Sequence, residues 1–171
     1  MITKYEITAK SQRVNYSPVL FCLASMPLMY LYLLYRMKGG SQRIDLIICV
    51  SVFLLLFFPV LLIHNDYYTL NKGDELEVDP DNKQIRYKHD QVLIEYKFED
   101  IKNIKYYLRE GGRLLWTRYK YCVIEFTDGV KITITTLLVP DIESFFKEIC
   151  DGKDLVIQIP KFFPTVSKKG A

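Results

Sequence analysis

Two long stretches without a charged side chain constrain this chain more than any other feature. The first extends from Val14 to Tyr35, and the second, which is the more apolar, from Leu46 to Asn65. A helix of about 20 residues spans the roughly 30 Å of hydrocarbon in a bilayer, whereas a buried helix of a soluble protein rarely stays apolar on all sides for that length. The first stretch also lacks the cleavage site of a signal peptide. We therefore predict two transmembrane helices, at about 17–35 and 46–64.

The two predicted helices are joined by a short basic segment, residues 36–45. Such a short connection predicts an antiparallel hairpin with both chain ends on one side of the membrane. Basic residues are almost equally frequent on the two sides, so the positive-inside rule favours a cytoplasmic position for the chain ends only slightly. We expect a multi-pass protein of the inner (plasma) membrane, and the opposite orientation stays open. Pro27 and Pro59 should each kink the helix that contains them.

Beyond residue 66 apolar and polar residues begin to alternate, which is typical of half-buried strands. The pair Asp128–Gly129 lies between two such segments and predicts a tight hairpin turn. An amphipathic helix should follow at about 141–149, and 155–159 could form a last short strand. The predicted strands lie near 75–79, 84–88, 92–98, 101–109, 116–126 and 130–135, and the buried face of the helix carries Ile142, Phe145, Phe146 and Ile149.

The chain thus divides into three predicted parts. Residues 1–66 form an N-terminal tail and the two membrane helices, 67–152 form a β domain, and 153–171 form a short strand and a tail. The formal net charge is +3, and basic residues exceed acidic ones only before residue 67. A balanced domain argues against nucleic acid as the main partner, because phosphate binding requires an excess of cations on one face.

Meandering antiparallel strands closed by one C-terminal helix, joined to a two-helix membrane hairpin, resemble the bacterial pleckstrin-homology-like (PH-like) membrane proteins. The segments that carry the resemblance are 68–78, 96–104, 126–132 and 141–149. The resemblance covers about 14–152 and implies a membrane α-helical hairpin plus an α+β domain. That domain would be a curled seven-stranded antiparallel sheet capped by one helix, which binds lipids or proteins. The resemblance does not imply an enzyme.

The sequence contains no pattern that indicates a catalytic, cofactor-binding or metal site. Of the two histidines, His64 ends the second predicted span, where its polar tip should reach water, and His89 lies in a turn. The cysteines are far apart in sequence, without the close spacing of a metal or redox site. A disulfide between Cys122 and Cys150 is possible only in an oxidising compartment, so their redox state would report the topology.

One surface segment, 109–120, combines four cations with the only tryptophan of the chain. Basic groups beside an indole are typical of a contact with anionic lipid headgroups or with an acidic partner. The alternative is an ordinary hairpin with its tryptophan folded onto the sheet. The candidate contact residues are Arg109, Arg113, Trp116, Arg118 and Lys120.

Two functions remain open from the sequence. The first is a non-catalytic integral membrane protein that presents a PH-like module for protein or lipid contact at the membrane surface, with a protein as the expected partner and anionic headgroups as a possible one. The second is a membrane-anchored immunity protein that neutralises a toxin delivered to the cell envelope. The partner and the oligomeric state do not follow from the sequence.

Overall fold

In the computed structural model, residues 2–36, 42–108, 115–150 and 152–166 are described. They form eight strands and three helices. The strands are β1 (Thr3–Glu6), β2 (Glu75–Asp79), β3 (Gln84–His89), β4 (Val92–Lys97), β5 (Ile101–Leu108), β6 (Tyr121–Phe126), β7 (Lys131–Thr135) and β8 (Val156–Pro160), and the helices are α1 (Ala9–Arg36), α2 (Gln42–Asn71) and α3 (Ile142–Ile149).

The strand before the two long helices pairs with the strand after them. β1 runs antiparallel to β2, with Thr3 opposite Val78 and Glu6 opposite Glu75. β3 and β4 continue this first sheet in chain order. The helical hairpin is therefore inserted between two hydrogen-bonded neighbours of one sheet. β1 lies where the sequence predicts only an N-terminal tail. Four residues are too few for an alternating pattern to be recognised.

The second sheet has the order β7-β6-β5-β8. A single 3₁₀ turn at Phe98–Asp100 carries the chain from the first sheet into it. β5, β6 and β7 are antiparallel, and β8 adds a parallel strand at the free edge of β5. Gly129 has a φ of +89° in the β6–β7 turn, as the Asp-Gly pair predicts. Seven antiparallel strands and one helix agree with a PH-like architecture, but the strands form two sheets and not the single curled sheet that the resemblance implies.

The main core lies between the two sheets and α3. The four apolar residues predicted for the buried face of α3 are all buried, and the rings of Tyr106 and Phe146 meet edge to face with centroids 5.0 Å apart. Asp141 caps the helix, since its carboxylate accepts a hydrogen bond from the Ser144 amide at 3.0 Å. α3 is thus the amphipathic cover that the sequence predicts.

A second core lies on the other face of the second sheet, against α1 and α2. Thr133 and Thr135, which alternate with apolar residues and should face water, are both buried there. The second sheet is therefore covered on both faces, and the helices take the place of solvent on one of them. This core contains Val19, Phe57, Val60, Ile63, Tyr67, Trp116, Tyr119, Tyr121 and Leu137.

Both long helices extend beyond the predicted spans. The additional turns, about 9–16 of α1 and 65–71 of α2, carry residues that are buried against the domain, such as Ser11, Asn15 and Asn71. Among the described residues, Val50–Asn71 is long and apolar enough to cross a membrane, and Ala9–Ser17 with Val19–Tyr32 would be a second such segment if this bent pair is one span.

The sharp bend of α1 differs in position from the predicted kink. The two parts of α1 meet at residue 18 with an angle of 56°, whereas the sequence analysis expected a kink at Pro27. In α2, Pro59 lies within the segment Val50–Asn71, which is one helix. The proline at position 18 explains the bend, because proline has no amide proton for the helical hydrogen bond to residue 14.

The position of β1 gives a first prediction. A chain that begins at residue 67 should form a less stable domain than one in which residues 2–7 are joined by a Gly/Ser linker to residue 71, because only the second can pair β1 with β2. We expect slower amide exchange at Val78 in the linked chain. Equal exchange in the two chains would show that β1 contributes nothing to the sheet.

Candidate functional site

The predicted contact segment lies partly outside the described residues. Arg109 and Arg113 belong to the part that the structure does not describe. The remainder begins as a turn at 115–118, so the strand predicted at 116–126 is confirmed only from Tyr121 onward, as β6. Trp116 and Tyr119 are buried in the core formed with the helices. This packing keeps the segment out of the sheet.

Trp116 takes the position that the sequence analysis held as the alternative, folded into the protein. Only 4% of its surface is exposed. Its indole Nε1 donates a hydrogen bond to the carbonyl of Phe162 at 3.1 Å, and its ring centroid lies 5.2 Å from that of Phe163. The buried N–H of the indole thus has an acceptor. Trp116 joins the turn to the segment that follows β8.

Arg118 contacts the bend of α1. Its Nη1 donates to the carbonyl of Val14 at 2.9 Å and to Ser17 Oγ at 3.0 Å. In a regular helix the carbonyl of Val14 would accept the amide proton of residue 18, and a proline there has none. The guanidinium therefore supplies a donor to the carbonyl that Pro18 leaves without its helical partner. The Ser17 hydroxyl donates to the same carbonyl at 2.9 Å.

A cleft of about 570 Å³ opens beside this contact, between α1, the 117–120 segment and the start of α3. Lys120 crosses part of it and forms an ion pair with Glu143, at 2.7 Å between Nζ and Oε1. The hydrogen bond from Lys120 lowers the pKa of the Glu143 carboxyl. The charged residues that line the cleft are Arg118, Lys120, Asp141 and Glu143.

The cleft can bind a polar group but has no catalytic arrangement. Each cation already contacts an oxygen acceptor, and the pKa of Asp141 is lowered mainly by a hydrogen bond from the Ser144 hydroxyl. Among the described residues that line the cleft there is no histidine, cysteine or other nucleophile with an adjacent base. A site with two cations and two carboxylates favours recognition of a group that itself carries charge.

His64 is buried at the junction of the helices and the sheet, whereas the sequence analysis expected its tip in water. Its Nδ1 lies 3.0 Å from the hydroxyl of Tyr119, and the ring of Tyr16 stacks on its imidazole with centroids 3.8 Å apart. α1, α2 and the segment before β6 thus meet in one aromatic cluster. This contact gives His64 a structural role between three elements.

A buried carboxylate, missed by the sequence analysis, lies where α2 ends. Asp74 accepts hydrogen bonds from the side chains of Asn71 and Tyr87, and Asp74 Oδ1 lies 2.6 Å from His89 Nδ1. Burial and the bond to Asp74 raise the pKa of the Tyr87 hydroxyl. The bond to Asp74 also raises the pKa of His89, which is half exposed. Asp74 thus fixes the connection from α2 to β2 against β3.

Asn71 extends the same network to the second sheet. Its side-chain amide donates to the carbonyl of Thr133 at 3.0 Å, and its oxygen accepts from both the amide and the hydroxyl of Thr135. We name Asn71, Asp74, Tyr87, His89 and Thr135 the junction network. It ties the last residue of α2 to both sheets.

The two cysteines of the domain are buried free thiols. Burial raises the pKa of both Cys122 and Cys150. Across the described ranges of the chain, no three histidine, cysteine, aspartate or glutamate side chains lie close enough to hold a metal ion.

A family model described as a PH domain matches residues 4–146. The chain belongs to the PH domain family. The match begins in β1 and ends in α3, so this PH domain includes the strand before the helices and the cover helix after the last antiparallel strand. PH domains are in general modules that bind proteins or lipids. No curated protein matches the chain.

The junction network gives a pH prediction for this PH domain. The pKa of His89 is raised in the folded state above its ordinary value of 6.5. The stabilisation that protonated His89 gives beside Asp74 is therefore complete below pH 6.5, and it is lost as the pH rises through the folded-state pKa. The contribution of His89 to the free energy of unfolding, taken as the difference between the wild type and His89→Gln, should therefore decrease from pH 6 to pH 8. The slope should stay well below about 1.4 kcal/mol per pH unit, because His89 is half exposed.

Chemical unfolding of the full chain in detergent micelles measures this slope. The wild type should lose stability relative to His89→Gln as the pH rises, and Asp90→Asn, a change at the exposed neighbour, should show most of the same loss. A profile that His89→Gln does not change would exclude the contact with Asp74 as its source.

The contact at the bend of α1 gives a further prediction. Arg118→Ala should lower the free energy of unfolding by about 1 kcal/mol, because it removes charge-assisted hydrogen bonds. In a Pro18→Ala background the effect should be smaller, since residue 18 then supplies an amide donor to Val14. A double-mutant cycle on the full chain measures this coupling. Lys131→Ala is the control, and additive effects of the two changes would refute the link.

Proposed function

We propose that the protein is an integral membrane protein in which a non-catalytic PH domain serves as a binding module at the membrane surface. The observation that carries this proposal is the insertion of α1 and α2 between β1 and β2. A domain whose own sheet is interrupted by two long apolar helices cannot separate from them. Wherever the helices are embedded, the module has to remain at that surface.

The outward faces of the helices support a location in the bilayer. Many of their large apolar side chains are exposed, on both helices and over most of their length. Exposed apolar surface of that extent is unfavourable in water and requires a lipid or protein environment. Examples are Leu20, Phe21, Leu28, Leu31, Ile47, Leu54, Leu55, Phe58, Leu61 and Leu62.

The cleft beside α1 is the binding surface that we favour. It is lined by Val14 and Asn15, which lie just before the predicted span, so it would face the headgroup layer. Its charges of both signs suit a protein side chain or a lipid headgroup that carries charge. Arg118 and Lys120 of the predicted contact segment belong to it, and a role for Arg109 and Arg113 stays a prediction.

The topology can be tested by cysteine labelling in intact cells. We propose two spans at about 17–35 and 46–64, with the domain on the cytoplasmic side. Cysteines introduced at Gly40 and Asp90 should then react with a membrane-impermeant reagent on opposite sides, position 40 from outside and position 90 only after lysis. Equal accessibility of the two positions would overturn the hairpin, and reversed accessibility would place the domain outside.

Photo-crosslinking tests whether the cleft binds. A photoreactive amino acid at Pro140, an exposed residue of the cleft, should give a discrete adduct with a protein or a phospholipid in native membranes. Asn82, in the turn between β2 and β3, is the control position. Lys120→Ala should weaken the adduct at Pro140. Identical adducts at both positions would show that the cleft is not a specific site.

A further inference from the structure

Two exposed aromatic side chains follow β8. Phe162 is 61% exposed and Phe163 is 42% exposed, although both belong to the segment that covers the buried Trp116. Their rings meet edge to face with centroids 4.7 Å apart. We name Phe162 and Phe163 the phenylalanine pair. Large apolar side chains that stay exposed beside a folded core often mark a contact surface.

The backbone that carries the pair is held on both sides. Before it, the amide of Lys161 donates to the carbonyl of Leu108 at 2.8 Å, and Lys161 Nζ donates to the hydroxyl of Tyr121 at 2.7 Å. After it, the carbonyl of Pro164 accepts a hydrogen bond from Tyr67 at 2.8 Å. The pair therefore projects from a fixed support.

The polar groups around the pair have partners within the protein. The carbonyl of Phe162 accepts the indole N–H of Trp116, and the amide of Val166 donates to Asp66 Oδ2 at 2.8 Å. A segment that enters an environment poor in water has to satisfy its backbone groups internally. The carbonyls of Phe162 and Pro164 and the amide of Val166 meet that requirement.

The pair lies at the end of the domain that faces the helices. Trp116, on which both rings pack, shares its buried core with Val19 and Phe57, which belong to the predicted spans. The neighbouring helix positions Leu20 and Phe58 are exposed and apolar. The pair therefore packs on the same buried core as the two helices, at the level where they join the domain.

We propose that the phenylalanine pair inserts into the interfacial layer of the bilayer and forms a third membrane contact beside the two helices. This inference rests on the proposed function, since it requires embedded helices. The interfacial layer is the occupant that we favour because the pair packs on the core that Trp116 shares with Val19 and Phe57 of the predicted spans, and because aromatic rings accumulate at that depth. The two helices and the inserted pair contact the bilayer at separate points, so the pair fixes the tilt of the PH domain on the membrane.

Depth measurements on the full chain test this contact. Single cysteines replace Phe162, Phe163, Phe58 or Val130 in a background with Cys22→Ala and Cys49→Ala, and the buried Cys122 and Cys150 remain. Each carries an environment-sensitive fluorophore in nanodiscs of phosphatidylcholine and phosphatidylglycerol. Val130 is the matched control, because it is an exposed apolar residue (37%) in the β6–β7 turn at the opposite end of the second sheet.

We expect the labels at Phe162 and Phe163 to shift to shorter wavelength and to be quenched by lipids with a nitroxide near the headgroup. The label at Phe58 should be quenched by nitroxides deeper in the acyl chains, and the label at Val130 only by a water-soluble quencher. Water exposure at Phe162 and Phe163 together with lipid exposure at Phe58 would overturn the inference and leave the proposed function intact. Water exposure at all four positions would overturn both.

A second measurement uses the unmodified protein, so it does not depend on correct folding of the labelled chains. Trp116 is the only tryptophan, so brominated lipids in the same nanodiscs report its depth in the unmodified protein. Bromine near the headgroup end of the chains should quench Trp116 more strongly than bromine near the bilayer centre. Absence of quenching by any brominated lipid would overturn the inference.

Discussion

The pairing of β1 with β2 is the constraint on which the rest of the structure depends. Glu6 lies opposite Glu75, so the chain has to leave the sheet, run out along α1 and return along α2 to nearly the same point. Only an antiparallel hairpin does this. The PH domain and the hairpin therefore have to fold together, since in this chain the helices connect the two strands that complete the first sheet.

The hydrogen bonds at the end of α2 determine how the hairpin and the domain fit together. A buried carboxylate such as that of Asp74 is costly unless its oxygens accept hydrogen bonds, and a buried amide such as that of Asn71 carries the same requirement. Tyr87 and His89 on one sheet and Thr135 on the other meet these requirements at one register of α2. A shift of the helix by one residue would leave several of these groups without partners. The apolar contacts of the second core are less selective.

The parts of the fold with strong periodic signals could be predicted from the sequence. The apolar stretches and the buried face of α3 each extend over many residues, and the Asp-Gly pair is a specific turn signal. The PH-like order of elements followed from these signals. β1 was missed because four residues show too little alternation. Thr133 and Thr135 were assigned to solvent because the pattern of one strand does not reveal that helices cover its polar face.

The candidate site was harder to predict, and the reason differs between residues. Trp116 and Arg118 lie in one predicted segment but contact different parts of the protein, and composition does not distinguish a tryptophan that meets lipid from one that packs on Phe163. The partner of Arg118 follows from Pro18, more than 90 residues earlier in the chain, so only the folded structure brings donor and acceptor together. Asp74 and His89 had no sequence signal, because a single acidic residue after a helix is usually solvated.

The cations of the cleft already have partners, and this determines how the PH domain can bind. An anionic group that approached Lys120 would have to replace Glu143, and one that approached Arg118 would compete with the carbonyl of Val14 at the bend of α1. Loss of the guanidinium would leave that carbonyl with the Ser17 hydroxyl as its donor. Because Arg118 both lines the cleft and donates to the bend, occupation of the cleft and the geometry of α1 draw on the same hydrogen bonds. Binding at the cleft, as proposed, would therefore be coupled to the first helix through Arg118, by competition for a donor rather than by a movement of the whole domain.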